Sequence, residues 1–596
     1  MKRSLALFLS FVMILFSCLT LLSGCGEKDA YKITFSIDGK KTVVEVPRGE
    51  TPVCPEELLS WETSEHFYKV TGWDKEIVPA TSNATYTATV GEYGLTVYDV
   101  LFMMPDRNVV TVKAHDGELP TPPEGYETDL TQVDKVGTFT GWDPELCAPT
   151  AENTQNGKKK LSFTPCYAYE TRYYTVTFNV RGAEHTVTVA AYETPVAPVA
   201  PPTAYMDTVT GKRYDYYGWD KKIVPATEDT VYTAWYGTEI PILAAKNGAK
   251  SILTMTYDRS TENPSQSAWV LNMHDKYGIR GTNMLIVGRM NDSMVQGWKN
   301  NVASGTLDLG CLGMQHKSDR IETTQEIYRN EIVEAKYLEE RLFPGNTIIC
   351  FASPYAQLRD FSYKANADGS PDKTQKIYDG GSKKIARDTY FAVRNGETGL
   401  NSLDPPCSDE AGGWYNLKVQ WFYNTQERGQ TDRERAGWID NAVANGGWLL
   451  ILAHDFKGSD DYLSLTEEEG EAFYKHASTY IQSGVMWAAT FNEATKYLRE
   501  RQSTIVTERY ENGIVYVQMK IDRTTEDGKE MPQNVFNYPL TVEVEVPAGW
   551  ETVRYAVKGK FETVNVYTRN GVNYAMLNLI PGADGVAVTT SVTRVK

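Results

Sequence analysis

A chain of 596 residues is too long for a single core and reads as several domains. Its formal net charge of −17 argues against a nucleic-acid partner, which would require a basic face for phosphates. Beyond Cys18 and Cys25, the cysteines Cys54, Cys147, Cys166, Cys311, Cys350 and Cys407 follow no close-spaced zinc pattern. Cys147 and Cys166 could pair, whereas Cys311 and Cys350 read as buried small hydrophobes.

The chain opens with Lys2 and Arg3, then an apolar run from Leu5 to about Leu22. A secretory signal fits this pattern. The tetrapeptide Leu22-Ser23-Gly24-Cys25 also resembles a bacterial lipobox. That resemblance implies a signal peptide over 1–24, lipidation of Cys25, and a mature chain anchored to the outer face of a membrane.

Between residues 31 and 236 the sequence repeats itself. Gly72-Trp73-Asp74 recurs as Gly141-Trp142-Asp143 and Gly218-Trp219-Asp220, and Ile77–Thr81 returns as Ile223–Thr227. Alternating strands such as Tyr31–Phe35 and Tyr174–Phe178 open the units, and Ala84–Ala88 and Val231–Trp235 close them. Three small β-rich domains are expected, over 31–92, 94–170 and 173–236. They resemble the Listeria–Bacteroides repeat, or internalin B-repeat, a β-grasp-like surface module, and would act as a stalk or as adhesive spacers. The repeated tryptophan could stack on sugar, but a fixed place in a small domain favours a core role.

Ser251–Ser260 reads as a buried strand, with Ile252, Leu253, Met255 and Tyr257 interleaved with Thr254 and Thr256. It ends at Asp258, and the C-terminal end of a strand is where (β/α) barrels place their chemistry. Ser265–Tyr277 then reads as a helix and Gly281–Val287 as a strand. Gly305–His316 is expected to be a strand ending in His316, and Gly447–Asp455 one ending in His454-Asp455. Thr466 with Glu469 forms a capping-box signature. Val485–Thr490 and Asn492–Arg501 complete a strand and helix alternation that fits one barrel over 250–501.

In order and spacing, Asp258, His316, Phe351–Tyr355 and His454 resemble the homology motifs of NodB-type polysaccharide deacetylases, carbohydrate esterase family four. The resemblance implies an irregular (β/α) barrel acting on acetylated polysaccharide or cell-wall glycan. It makes Asp258 the general base, and His454, within Leu452-Ala453-His454, the general acid. Pro354 and Tyr355 would wall the cleft, and His316 would be a metal ligand. The pattern is incomplete, however: Arg259 and Leu312 replace the other two ligand positions, and Ala352 replaces the arginine that pairs with the base. Catalytic zinc normally takes three protein ligands, so a divalent metal is expected only with rearranged ligands. Arg259 is expected to hold Asp258 instead. Arg394 and Trp414 are further candidates for the cleft.

From 505 to 596, alternating segments separated by turn signals suggest a β-sandwich, more suited to bracing the barrel than to binding carbohydrate. Three readings follow. The chain is a surface deacetylase, a glycan-binding pseudoenzyme with a degenerate metal site, or an adhesin whose barrel is only a scaffold.

Overall fold

The computed structural model describes residues 29–126, 130–258, 267–316, 322–423, 425–456 and 463–595. The signal segment, Cys25 and Arg259 lie outside the described residues. The chain divides into two units: one runs to Tyr174 and takes in Ala190–Glu193, and the other holds Thr175–Val189 and the chain from Thr194 onward.

In the first unit Ala30–Ile37 turns at Asp38-Gly39 and pairs antiparallel with Lys40–Pro47. On its other side it pairs in parallel with Ala84–Met103, a strand of 20 residues. The far end of that strand pairs in parallel with Leu161–Thr171, setting Phe102 opposite Phe163. One strand therefore closes the first repeat and opens the second, which is why no separate opening strand is visible in the second copy. Each repeated tryptophan packs on a phenylalanine of its own repeat. Trp73 meets Phe35, Trp142 meets Phe102, and Trp219 in the second unit meets Phe178, with ring centroids 5.0 Å apart in every case. These contacts give the tryptophans a packing role. Cys147 and Cys166 are exposed and unpaired, contrary to the pairing the sequence allowed.

In the second unit the third repeat departs from a free spacer. Its closing strand, Thr230–Glu239, pairs antiparallel with Thr504–Glu511, placing Thr238 opposite Glu508. At the same seam the buried Trp235 Nε1 donates to Thr507 Oγ1 at 2.7 Å. An unpaired strand edge is thus covered by the C-terminal domain. Thr504–Glu511, which the sequence pattern did not mark as a strand, starts an antiparallel path through Ile514–Ile521, Val588–Arg594, Thr552–Val557, Lys560–Arg569, Val572–Leu579 and Leu540–Glu545. The path curls until Glu508 in the first strand accepts from the Glu545 N–H in the last, at 2.9 Å.

The barrel is built on β1 (Ser251–Tyr257), every residue of which is buried. In chain order it continues with β2 (Gly281–Leu285), β3 (Leu307–Cys311), β4 (Cys350–Ala352), β5 (Ala392–Thr398), β6 (Leu417–Trp421) and β7 (Gly447–Ala453). These strands pair in parallel and β7 closes on β1 along its whole length. The other edge of β1 is shared. Met255–Tyr257 pairs with β2, while Ser251–Leu253 pairs with β8 (Met486–Ala488), which makes the barrel irregular. Gly281 is required at the β1–β2 contact, since a Cβ there would lie 2.8 Å from the Tyr257 ring and 3.0 Å from the Met255 carbonyl oxygen.

The helices α1 (Ser267–Tyr277), α2 (Asp432–Asn445), α3 (Glu467–Gln482) and α4 (Phe491–Gln502) include three with full capping boxes. The expected box at Thr466 and Glu469 is one of them, with Glu469 N–H donating to Thr466 Oγ1 at 3.2 Å. From α4, Tyr497 donates to the Leu243 carbonyl at 2.7 Å, and Glu500 accepts from the Tyr538 N–H at 3.0 Å. Phe391 beside β5 meets Phe536 edge-on at 4.6 Å. The C-terminal domain and the barrel thus share one hydrophobic core.

Candidate active site

Asp258 follows directly on β1 and is 7% exposed. Its N–H donates to the Ala453 carbonyl at 2.8 Å, which extends the β1–β7 ladder by one rung and fixes where the carboxylate emerges. Arg394, fully buried on β5, donates through Nη2 to Asp258 Oδ1. Arg394 stands in register with Ala352 of β4. Asp258 is therefore paired with a guanidinium from β5, whereas Arg259, which was expected to hold it, lies outside the described residues. Charge-assisted bonds of this kind are stronger and more directional than neutral ones.

His316 lies five residues beyond the end of β3, with φ at +50°, rather than at the strand end that the sequence suggested. The loop that carries it is pinned from beneath. The buried Glu331 accepts through one oxygen from the N–H groups of Met314 and Gln315, at 3.1 and 3.0 Å. The His316 carbonyl accepts from the Tyr355 hydroxyl at 3.3 Å, and the two rings lie 4.7 Å apart. His454 follows β7, and its N–H donates to the Leu463 carbonyl at 3.3 Å.

Asp258, His316 and His454 all line one open cleft of about 160 Å³. Tyr355, about half exposed, and Trp421 at the end of β6 provide its aromatic walls. Trp421 Nε1 donates to the Gly396 carbonyl at 3.0 Å, which fixes the indole plane. Ser353 also lines the cleft and donates to Asn395 Oδ1 at 2.7 Å.

Two expected cleft residues lie elsewhere. Trp414 is completely buried, donates to Gln502 Oε1 at 3.0 Å and carries the Arg499 guanidinium on its ring face at 4.1 Å. It is a core residue whose polar edge finds a partner on α4. Pro354 is buried and faces a small neighbouring cavity with Tyr328 and Ile332. Arg394 touches the cleft only through Asp258. Conversely, sequence reasoning missed Trp421, Ser353 and Glu331. An aromatic residue closing an apolar strand was a usable signal for Trp421; nothing local marked Glu331.

The donor set does not fit a catalytic divalent metal. Such a site takes three protein ligands and an open position. Among the described residues no group of three His, Cys, Asp or Glu side chains is placed to hold an ion. Leu312 is fully buried, and Asp258 is already engaged by a cation.

One residue before Asp258 the chemistry changes. Tyr257 points into the core, where its hydroxyl meets His274 Nε2 at 2.6 Å and the Tyr474 hydroxyl at 2.8 Å. Burial lowers the His274 pKa to about 3, so the imidazole is neutral at ordinary pH.

No family model matches the sequence, and no curated protein matches it. Among solved structures the chain is similar to the Xyl-CE4 domain of a multidomain xylanase from the hindgut metagenome of Trinervitermes trinervoides. That similarity has 15% identity over 41% of this chain and 88% of the other, with a TM-score of 0.26. A family 4 acetyl xylan esterase from Clostridium thermocellum in complex with a cobalt ion gives 17% identity over 41% and 89%, TM-score 0.26. The catalytic domain of a peptidoglycan N-acetylglucosamine deacetylase from Eubacterium rectale gives 12% over 41% and 91%, again with a TM-score of 0.26. At these values the likeness carries no argument about the chemistry of this chain.

Proposed function

We propose that this chain is a surface lipoprotein, anchored through Cys25, whose barrel is of polysaccharide-deacetylase type and binds acetylated glycan in the cleft beside Asp258. The observation that carries the reading is the convergence of Asp258 and His454, at two strand ends, and His316, in the loop after a third strand, on one open cleft walled by Tyr355 and Trp421. Aromatic faces suit the apolar faces of sugar rings, and the carboxylate and imidazoles suit their hydroxyl and acetamido groups. The order of these residues along the chain supports glycan as the ligand class.

Binding is the primary activity in this reading, because the described residues of the cleft do not fit the metal that would acidify water. Titration calorimetry with acetylated chitin and xylan oligomers tests it. Wild-type protein binds, Trp421→Ala weakens binding by tenfold or more, and no acetate is released. Stoichiometric zinc, cobalt or nickel in purified protein would overturn the degenerate-metal part of the reading.

A second reading, acetyl hydrolysis without metal, is favoured by the presence of Asp258 and His454 in the same cleft. In it Asp258 takes the proton of the attacking water and His454 protonates the leaving group. Acetate release that persists in chelator and disappears in Asp258→Ala would select it. Acetate release only after Arg259→Asp with Leu312→His would instead mark the wild type as a binder.

A further inference from the structure

The first and third repeats have the same strand registers but opposite charge at one site. In the first, Trp61 pairs with Tyr68 across Ser60–Glu62 and His66–Trp73, and the hairpin tip is Asp38-Gly39. In the third, Tyr205 pairs with Tyr214 in the matching strands, and the tip is Arg181-Gly182. Asp38 and Arg181 share the same left-handed backbone conformation, with φ of 45° and 55°.

In the third repeat the aromatic pair is covered. The Arg181 guanidinium lies 4.0 Å above the Tyr205 ring, and the Tyr214 hydroxyl bonds to the backbone of Tyr510. In the first repeat, the matching face forms a pocket of about 140 Å³. Ile37, Leu58 and Trp61 give it an apolar floor and wall, and Asp38, Glu57 and Lys40 stand around it. Trp61 lies nearly parallel to Tyr68, at 5.3 Å and 11°, so the indole is backed on one side. Glu65 and Glu92 add negative potential at Tyr68 and, after burial, help raise its pKa. Among the described residues no Lys or Arg lies over Trp61 or Tyr68.

We propose that this pocket receives an arginine side chain from a partner protein, in the place that Arg181 fills from within the third repeat. An indole face with flanking carboxylates suits a guanidinium, which stacks flat on aromatic rings and is weakly hydrated. The carboxylates of Asp38 and Glu57 outnumber Lys40, so the surround attracts a cation. The pocket is far too small for a folded surface, which limits the recognised element to one side chain on an exposed turn or strand edge.

The test uses the full chain and a blocked Val-Arg-Gly peptide that copies the tip of the third repeat, with Val-Lys-Gly and Val-Ala-Gly peptides as controls. Trp61→Ala and Asp38→Arg are the variants, the second of which recreates the self-filled state. The expected result is binding of the arginine peptide at least fivefold tighter than either control, lost in both variants. A structure of Asp38→Arg is expected to show the new guanidinium over Trp61. Equal binding of the lysine peptide, or binding retained in Asp38→Arg, would overturn the proposal. Binding of glucosamine oligomers, but not of the arginine peptide, with the same dependence on Trp61 would also overturn it, in favour of a cationic sugar.

Discussion

Tyr257 and Asp258 are neighbours in sequence, and the structure puts them to opposite uses. Tyr257 belongs to a network with His274 and Tyr474 in which every group is neutral and buried. Asp258 sits at the edge of a cleft, charged, with its balancing cation sunk behind it in Arg394. Buried neutral polar groups cost little once they are hydrogen-bonded, whereas a charge must be paired or solvated. The comparison teaches that β1 buries only uncharged side chains until it meets the cleft. There the barrel uses a full ion pair to hold one carboxylate in a fixed direction.

The contrast breaks most clearly at Arg394. Arg394→Ala leaves the Asp258 carboxylate without its partner and is expected to destabilise the barrel by about 3–5 kcal/mol. The readout is the barrel's own calorimetric transition, since a multidomain chain has no single unfolding free energy. Asp258→Asn combined with Arg394→Met restores much of the loss; a barrel midpoint unmoved by Arg394→Ala would end the ion-pair account.

On the neutral side, Tyr257→Phe strands His274 and Tyr474 and is expected to cost about 2 kcal/mol. Glycan binding is expected to stay within twofold of wild type, because the hydroxyl lies away from the cleft. A binding loss as large as that of Trp421→Ala would merge the two regions that the comparison separates.

Acid sharpens the same contrast by a smaller amount. His274 is held neutral in the fold, with its pKa lowered from 6.5 to about 3. Its contribution is fully present above pH 6.5 and is lost as pH falls from 6.5 toward 3, because the unfolded chain takes up the proton first. Between pH 7 and 5.5 this group removes about 1.4 kcal/mol. The fall in barrel midpoint over that window is expected to be shallower in His274→Leu. Equal slopes would show that the imidazole is not the buried neutral group described.

The smallest effect serves as the control for both regions. Thr466→Ala removes the N-cap of α3 and is expected to cost about 1 kcal/mol. It changes neither the acid slope nor glycan affinity, which calorimetry at two pH values and the oligomer titration would check.

Much of the barrel was legible because its strands are short apolar runs with turn signals between them, and because Thr466 and Glu469 announce a helix start. The strand Thr504–Glu511 was not legible. Its residues alternate weakly, and although Ile514–Ile521 is the other arm of its own hairpin, its second partner, Thr230–Glu239, stands far from it in sequence. At the site, Asp258, His316, His454 and Tyr355, all named from the sequence, line one cleft. Trp414 was misread, because an aromatic residue near a cleft motif looks the same in sequence whether its indole N–H meets water or Gln502.

By itself, the sequence determined the periodicities, the caps, the repeated Gly-Trp-Asp unit and the order of the polar residues that end the barrel strands, since all of these are local. Only the tertiary structure decided which cation faces Asp258, that Glu331 fixes the His316 loop, and that one strand serves two repeats. Those outcomes depend on register between strands and on which buried charge finds which partner. A one-dimensional pattern carries no term for which segment pairs with which, whether the partners stand 17 positions apart, as Glu331 and Met314 do, or 136, as Arg394 and Asp258 do.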